Sequence, residues 1–225
     1  MNRLKIIAAV FTLSLLVACG EKKQPSSENT ADTTTQIKSA AAAKTILFFG
    51  DSLTAGYGLD DPSDAFPGVV QHKIDSAGLK YKVVNAGVSG ETTAGGKARI
   101  NWILRQKTDV FVLELGANDG LRGIPVNETT QNLQAIVDAV RKKYPQAKLV
   151  LLGMMVPPNM GVKYADSFKN IFPDLAHKND MTFMPFLLKD VGGVPALNQK
   201  DGIHPTANGA KIVGNNVWQV LKPVL

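Results

Sequence analysis

The chain has three histidines, and one of them stands where it can do chemistry. In Asp201-Gly202-Ile203-His204-Pro205 a carboxylate lies three positions before the imidazole. It can fold back onto one ring nitrogen and leave the other facing outward. A histidine held this way is a general base, and its natural client is a serine hydroxyl, a weak nucleophile until its proton is taken. Ser52, in Gly50-Asp51-Ser52-Leu53, directly follows a β-rich run, with Gly56 and Gly58 allowing close backbone approach behind it. Each half has a plainer alternative. Ser52 reads equally as a helix N-cap, and Asp201 with His204 reads as a turn into the last helix. Asp51 is assigned structural hydrogen bonding. His72 and His177 fall in amphipathic stretches and read as surface or helix-end residues. The rival serine, Ser89, lacks a glycine two positions later, so the chain has no G-x-S-x-G elbow, which disfavours an α/β-hydrolase arrangement.

Attack on a carbonyl also needs donors aimed at the developing negative charge, each worth on the order of 10²–10³ in rate. Gly90 offers an unobstructed backbone N–H, and Asn118 a side-chain amide in Gly116-Ala117-Asn118-Asp119-Gly120. The alternatives are a turn glycine with positive φ and an amide that ties its own loop together. Met154, Met155, Pro157 and Met160 fall in one segment after a β-rich run. Methionine adapts to irregular apolar shapes, so they either line a substrate site or pack the loop against the core.

These residues need elements to position them. From Thr45 onward β-rich runs at 45–49, 81–85, 110–115, 148–152 and 182–184 alternate with helical patterns near 65–76, 94–106, 128–144, 164–179 and 205–221. Leu133, Ile136, Val137 and Val140 recur at helical spacing and form a core-facing stripe. The alternation predicts an α/β fold, a mostly parallel sheet covered on both faces. Ligands in such sheets bind beyond the carboxyl ends of strands, where the strand order reverses. With the order 2-1-3-4-5, the segments carrying Ser52, Gly90 and Asn118 converge on that crevice.

The N-terminus predicts a separate fate. Arg3 and Lys5 precede an apolar run from Ile6 to Ala18 that is short for a bilayer span and fits an export signal. Cys19, the single cysteine, excludes an intramolecular disulfide. Residues 1–18 are read as a signal peptide, 19–44 as a flexible tether poor in large apolar residues, and 45–225 as the domain. The formal charge of +6 is small and scattered, with no basic stripe, stacking aromatics or zinc-ligand spacing, so nucleic acid is not the expected partner.

Taken together, Gly50-Asp51-Ser52-Leu53, Gly90 in Val88-Ser89-Gly90-Glu91-Thr92, Gly116-Ala117-Asn118-Asp119-Gly120 and Asp201-Gly202-Ile203-His204-Pro205 resemble the four ordered blocks of SGNH (GDSL) hydrolases. The similarity is greatest to the bacterial thioesterase I, arylesterase and lysophospholipase group, notably in Glu114 to Gly123. The resemblance implies a flavodoxin-like three-layer α/β/α fold with a five-stranded parallel sheet. It implies Ser52 as nucleophile, His204 as base, Asp201 orienting it, and an oxyanion hole from the Ser52 N–H, the Gly90 N–H and the Asn118 side chain. It implies no metal and no cofactor. Leu16-Val17-Ala18-Cys19 resembles the bacterial lipobox, implying lipidation of Cys19 and a membrane-anchored protein of the cell envelope. The expected activity is hydrolysis of carboxylic esters, with thioesters and lysophospholipids as candidates, by a monomer. Its rivals are a glycan O-deacetylase on the same triad and a non-catalytic lipoprotein that binds lipid or glycan.

Overall fold

A computed structural model describes residues 42–225. The proposed signal peptide, Cys19 and all but the last residues of the tether lie outside it. Five strands form one sheet: β1 Lys44–Gly50, β2 Tyr81–Gly87, β3 Val110–Glu114, β4 Lys148–Leu152 and β5 Thr182–Met184. All neighbours are parallel and the order is β2-β1-β3-β4-β5. A parallel sheet covered on both faces demands apolar side chains on both, which is why Ile46 to Phe49 and Val110 to Leu113 are almost wholly buried.

Among the described residues seven α-helices flank the sheet: α1 Ser52–Ala55, α2 Phe66–Ser76, α3 Thr93–Ile103, α4 Ala117–Leu121, α5 Val126–Lys143, α6 Val162–Lys178 and α7 Ala207–Leu221. Helix α2 packs with α7 as one layer, and α3, α5 and α6 pack in series as the other. The α5 stripe Leu133, Ile136, Val137 and Val140 is buried, as its spacing predicts. The long helix after β1 (α2) and the long helix after β3 (α5) lie in opposite layers, so the chain leaves these two neighbouring strands in opposite directions and a crevice opens at their carboxyl ends.

The five longer helices each differ from their expected limits by one to three residues, and two of the differences have a visible cause. Helix α3 starts at Thr93, capped by the Thr92 side chain, and stops at Ile103 rather than running to 106. Helix α7 starts at Ala207, because Thr206 supplies the capping oxygen to the Gly209 N–H (3.3 Å). His204 therefore precedes the helix by three residues instead of standing at its mouth. Helices α1 and α4, which the sequence reads as polar loops, are short turns of helix that carry Ser52 and Asn118.

Candidate active site

β1 delivers Ser52 to the crevice. Asp51 is the N-cap of α1, its Oδ1 accepting the Leu53 N–H at 3.0 Å, so Ser52 is the first helical residue rather than the cap. The Ser52 side chain is thereby left for other work. A tight turn brings the histidine to it from the far end of the chain. Gly202 takes φ +76, and its N–H closes on the Gln199 carbonyl (2.9 Å), while the Gln199 N–H donates to the His204 carbonyl (2.7 Å). The Gln199 side chain donates to the carbonyls of Tyr57 (2.7 Å) and Pro205 (3.0 Å), joining this turn to the loop after α1.

The outcome is a linear array. His204 Nε2 lies 2.9 Å from Ser52 Oγ, and His204 Nδ1 lies 2.7 Å from Asp201 Oδ2. Asp201 Oδ1 accepts the backbone N–H groups of Ile203 and His204, both at 3.0 Å. The hydrogen bond from His204, followed by those two N–H groups, holds the Asp201 carboxyl down to about 2. The Tyr57 ring packs on the imidazole at 4.6 Å between centroids.

The other two blocks reach the same place. The 88–92 loop, with Gly90 at φ +78, is held by Arg122 donating to the Gly90 carbonyl (3.0 Å). It is braced by Arg99, which grips the Glu91 carboxylate (2.6 and 2.5 Å), donates to the Ala86 carbonyl (2.8 Å) and lies 4.1 Å over the Phe49 ring. Asn118 enters from α4, after a backbone reversal at Gly116 (φ +123) that only glycine adopts readily. Its amide donates to Asp51 Oδ2 (3.1 Å) and to the Glu91 carbonyl (3.0 Å). Under Asp51 lies Glu114, wholly buried, with Oε2 accepting from the Asp51 N–H (3.1 Å) and Thr54 Oγ1 (2.7 Å).

A cleft of about 550 Å³ opens over Ser52, with Gly90, Asn118, Met154, Met155, Val156, Pro157 and Ile203 among its walls. Its lining is largely apolar. Met154 is buried and ties the wall to the core, whereas Met155 is 39% exposed. Met160 is not part of it: after the turn Pro158–Met160, Gly161 (φ +86) redirects the chain into α6. Met160 instead lines a separate surface depression with Val126, Val162 and Tyr164. Ser89 lies on the rim without a histidine partner, and His72 and His177 are remote from Ser52 in the fold, on α2 and α6. Among the described residues no cluster of histidine, cysteine and carboxylate side chains could hold a metal ion, and no helix is long and apolar enough to cross a membrane.

Tyr57, Arg99, Glu114 and Gln199 are given no role by the sequence. Only Glu114 had a signal, as the last residue of an apolar strand where a charge is out of place.

Residues 48–212 match the profile of the GDSL-like lipase/acylhydrolase family. The chain belongs to that family. Within it, the chain is 41% identical over 186 residues to Esterase TesA of Pseudomonas aeruginosa, covering 82% of this chain and 91% of the relative. It is 38% identical over 187 residues to thioesterase 1/protease 1/lysophospholipase L1 of Escherichia coli K12, covering 83% and 87%. The crystal structure of TesA superposes with a TM-score of 0.77 at 40% identity, over 81% of this chain and 100% of that one. As a member of this family, the protein is a hydrolase acting on esters.

Proposed function

We propose that this GDSL hydrolase cleaves carboxylic esters through an acyl-enzyme formed on Ser52. His204 takes the hydroxyl proton as Oγ attacks the carbonyl carbon, then returns it to the leaving oxygen or sulfur; water repeats the sequence to free the acid. Asp201 fixes the tautomer that leaves Nε2 unprotonated toward serine. The oxyanion is met by the Ser52 and Gly90 N–H groups and the Asn118 amide. The observation that carries this reading is the 2.9 Å and 2.7 Å chain from serine through histidine to aspartate at the floor of the cleft.

The acyl group occupies the apolar wall of Met154, Met155, Val156 and Pro157, so aryl and acyl esters, thioesters and lysophospholipids with medium or long chains are the preferred substrates. The lipobox-like Leu16-Val17-Ala18-Cys19 supports a lipid-anchored enzyme of the cell envelope. Hydrolysis of p-nitrophenyl esters from acetyl to palmitoyl by wild type and Ser52→Ala tests the assignment. Wild type is expected to peak beyond acetyl and the variant to lose at least about 10³-fold in kcat. A correctly folded Ser52→Ala that keeps most of its activity refutes it.

A further inference from the structure

The three expected oxyanion donors are not alike in the free enzyme. Among the described residues the N–H groups of Ser52 and Gly90 donate to no protein acceptor. Both hydrogens of the Asn118 amide are engaged, one by the Glu91 carbonyl and one by Asp51 Oδ2. Asp51 is 0% exposed and stands next to the nucleophile. Its Oδ1 is fixed by the helix that carries Ser52, and its Oδ2 by the amide. Glu114 adjoins it, equally buried, with Oε1 lacking any hydrogen-bond partner. Neither carboxyl has a salt-bridge partner among the described residues.

We propose that Asp51 is a positioning residue for the oxyanion hole. Its carboxylate holds the Asn118 amide aimed at the reacting carbonyl, and the N–H it holds becomes shared with the oxyanion as the tetrahedral intermediate forms. This rests on the proposed function above and extends it to a residue that touches no substrate. The chemistry explains why the position carries a carboxylate when an asparagine would cap α1 equally well. With asparagine there, Oδ1 still accepts from Leu53, but an NH₂ then faces the Asn118 NH₂. Asn118 has to turn its carbonyl toward residue 51, and a lone pair replaces a donor at the hole.

Two carboxyls this close and this dry cannot both ionise cheaply. Burial first, and the Asp51 charge second, push Glu114 well above the usual glutamate range, so it carries the proton. Burial raises Asp51 to about 6, against the lowering effects of the Leu53 N–H, the Glu114 and Asn118 side chains and the charge of His204. The other charged group close by is Arg99 of α3, which reaches the Gly50 carbonyl (3.4 Å) but is paired with Glu91. As pH falls through about 6, Asp51 gains a proton and its hold on Asn118 weakens. Full activity then needs Asp51 ionised as well as an unprotonated His204 Nε2.

The test measures kcat and KM for p-nitrophenyl butyrate with full-length wild type, Asp51→Asn, Asn118→Ala and the double variant, with Ser52→Ala as reference. Asp51→Asn is expected to lower kcat about 10²-fold, the scale of one lost donor, with KM within about threefold. In the Asn118→Ala background the same change is expected to cost under about threefold, because its route runs through that amide. The acid limb of log kcat/KM is expected to steepen above slope one over part of its range in wild type and to stay at slope one in Asp51→Asn. Equal losses in both backgrounds overturn the proposal, as does a loss carried by KM. The wild-type profile needs no variant to fold, and an acid limb that nowhere exceeds slope one also overturns it. If Ser52→Ala is inactive while these results fail, only the positioning role falls; if Ser52→Ala stays active, the acyl-enzyme reading falls first.

Discussion

At the scale of residues, the site divides into groups that react and groups that hold them. Asp201 holds His204 from a position only partly shielded from solvent. Its carboxyl is lowered from 3.8 to about 2, so the contribution it makes is present above its unfolded value and is lost as pH falls through about 2. It stays ionised wherever the enzyme works, and any acid limb above pH 4 belongs to other groups. Asp201→Asn is expected to lower kcat by about 10²–10⁴-fold at every pH from 6 to 9, through the wrong tautomer; a pH-rate profile checks this. Tyr57 packs on the imidazole while 53% exposed. Tyr57→Ala is expected to cost about 0.5–1.5 kcal/mol, or roughly two- to tenfold in kcat/KM on p-nitrophenyl esters. Asp201 and His204 were legible because one short turn contains both, and Ser52 because glycines and an acid flank it after a strand. Tyr57 and Gln199 were not, since Tyr57 meets Gln199 and His204 only across more than 140 residues of chain and nothing local marks the meeting.

At the scale of elements, two very short helices do the positioning, and each depends on an unusual residue before it. Gly116 turns the chain from β3 into α4 at φ +123, and a Cβ there would stand 3.2 Å from Phe172. Gly116→Ala is therefore expected to destabilise the fold by about 1–3 kcal/mol and to lower kcat by displacing Asn118. Urea midpoints and turnover measured together check it; unchanged midpoint and kcat would contradict the role of this turn. The five strands were legible as compact β-rich runs and α5 by its apolar stripe. Helices α1 and α4 have four and five residues, too few to show a helical period, so they read as polar loops. Met160 was misplaced for a related reason: spacing cannot reveal that Gly161 swings the chain away from the cleft.

At the scale of the whole molecule, the strand order β2-β1-β3-β4-β5 makes three separate polar segments neighbours, and the long segment between β5 and α7 brings His204 back to join them. That convergence was readable only once an order was assumed; the apolar alternation specifies parallel strands but not their sequence across the sheet. The chain enters this domain at Lys44, about 20 Å of strand away from Ser52. Cys19→Ser is expected to move the protein from the membrane pellet to the supernatant while leaving turnover of a soluble p-nitrophenyl ester unchanged; retention in the pellet would contradict lipid anchoring. The central claim, a serine made nucleophilic by its histidine, is tested most directly by reacting the folded protein with a fluorophosphonate and mapping the adduct by peptide mass. A single adduct on Ser52, formed rapidly in wild type and at least about 100-fold more slowly in His204→Ala, is the predicted result. An adduct on Ser89, or labelling of Ser52 at the same rate without the imidazole, would contradict it.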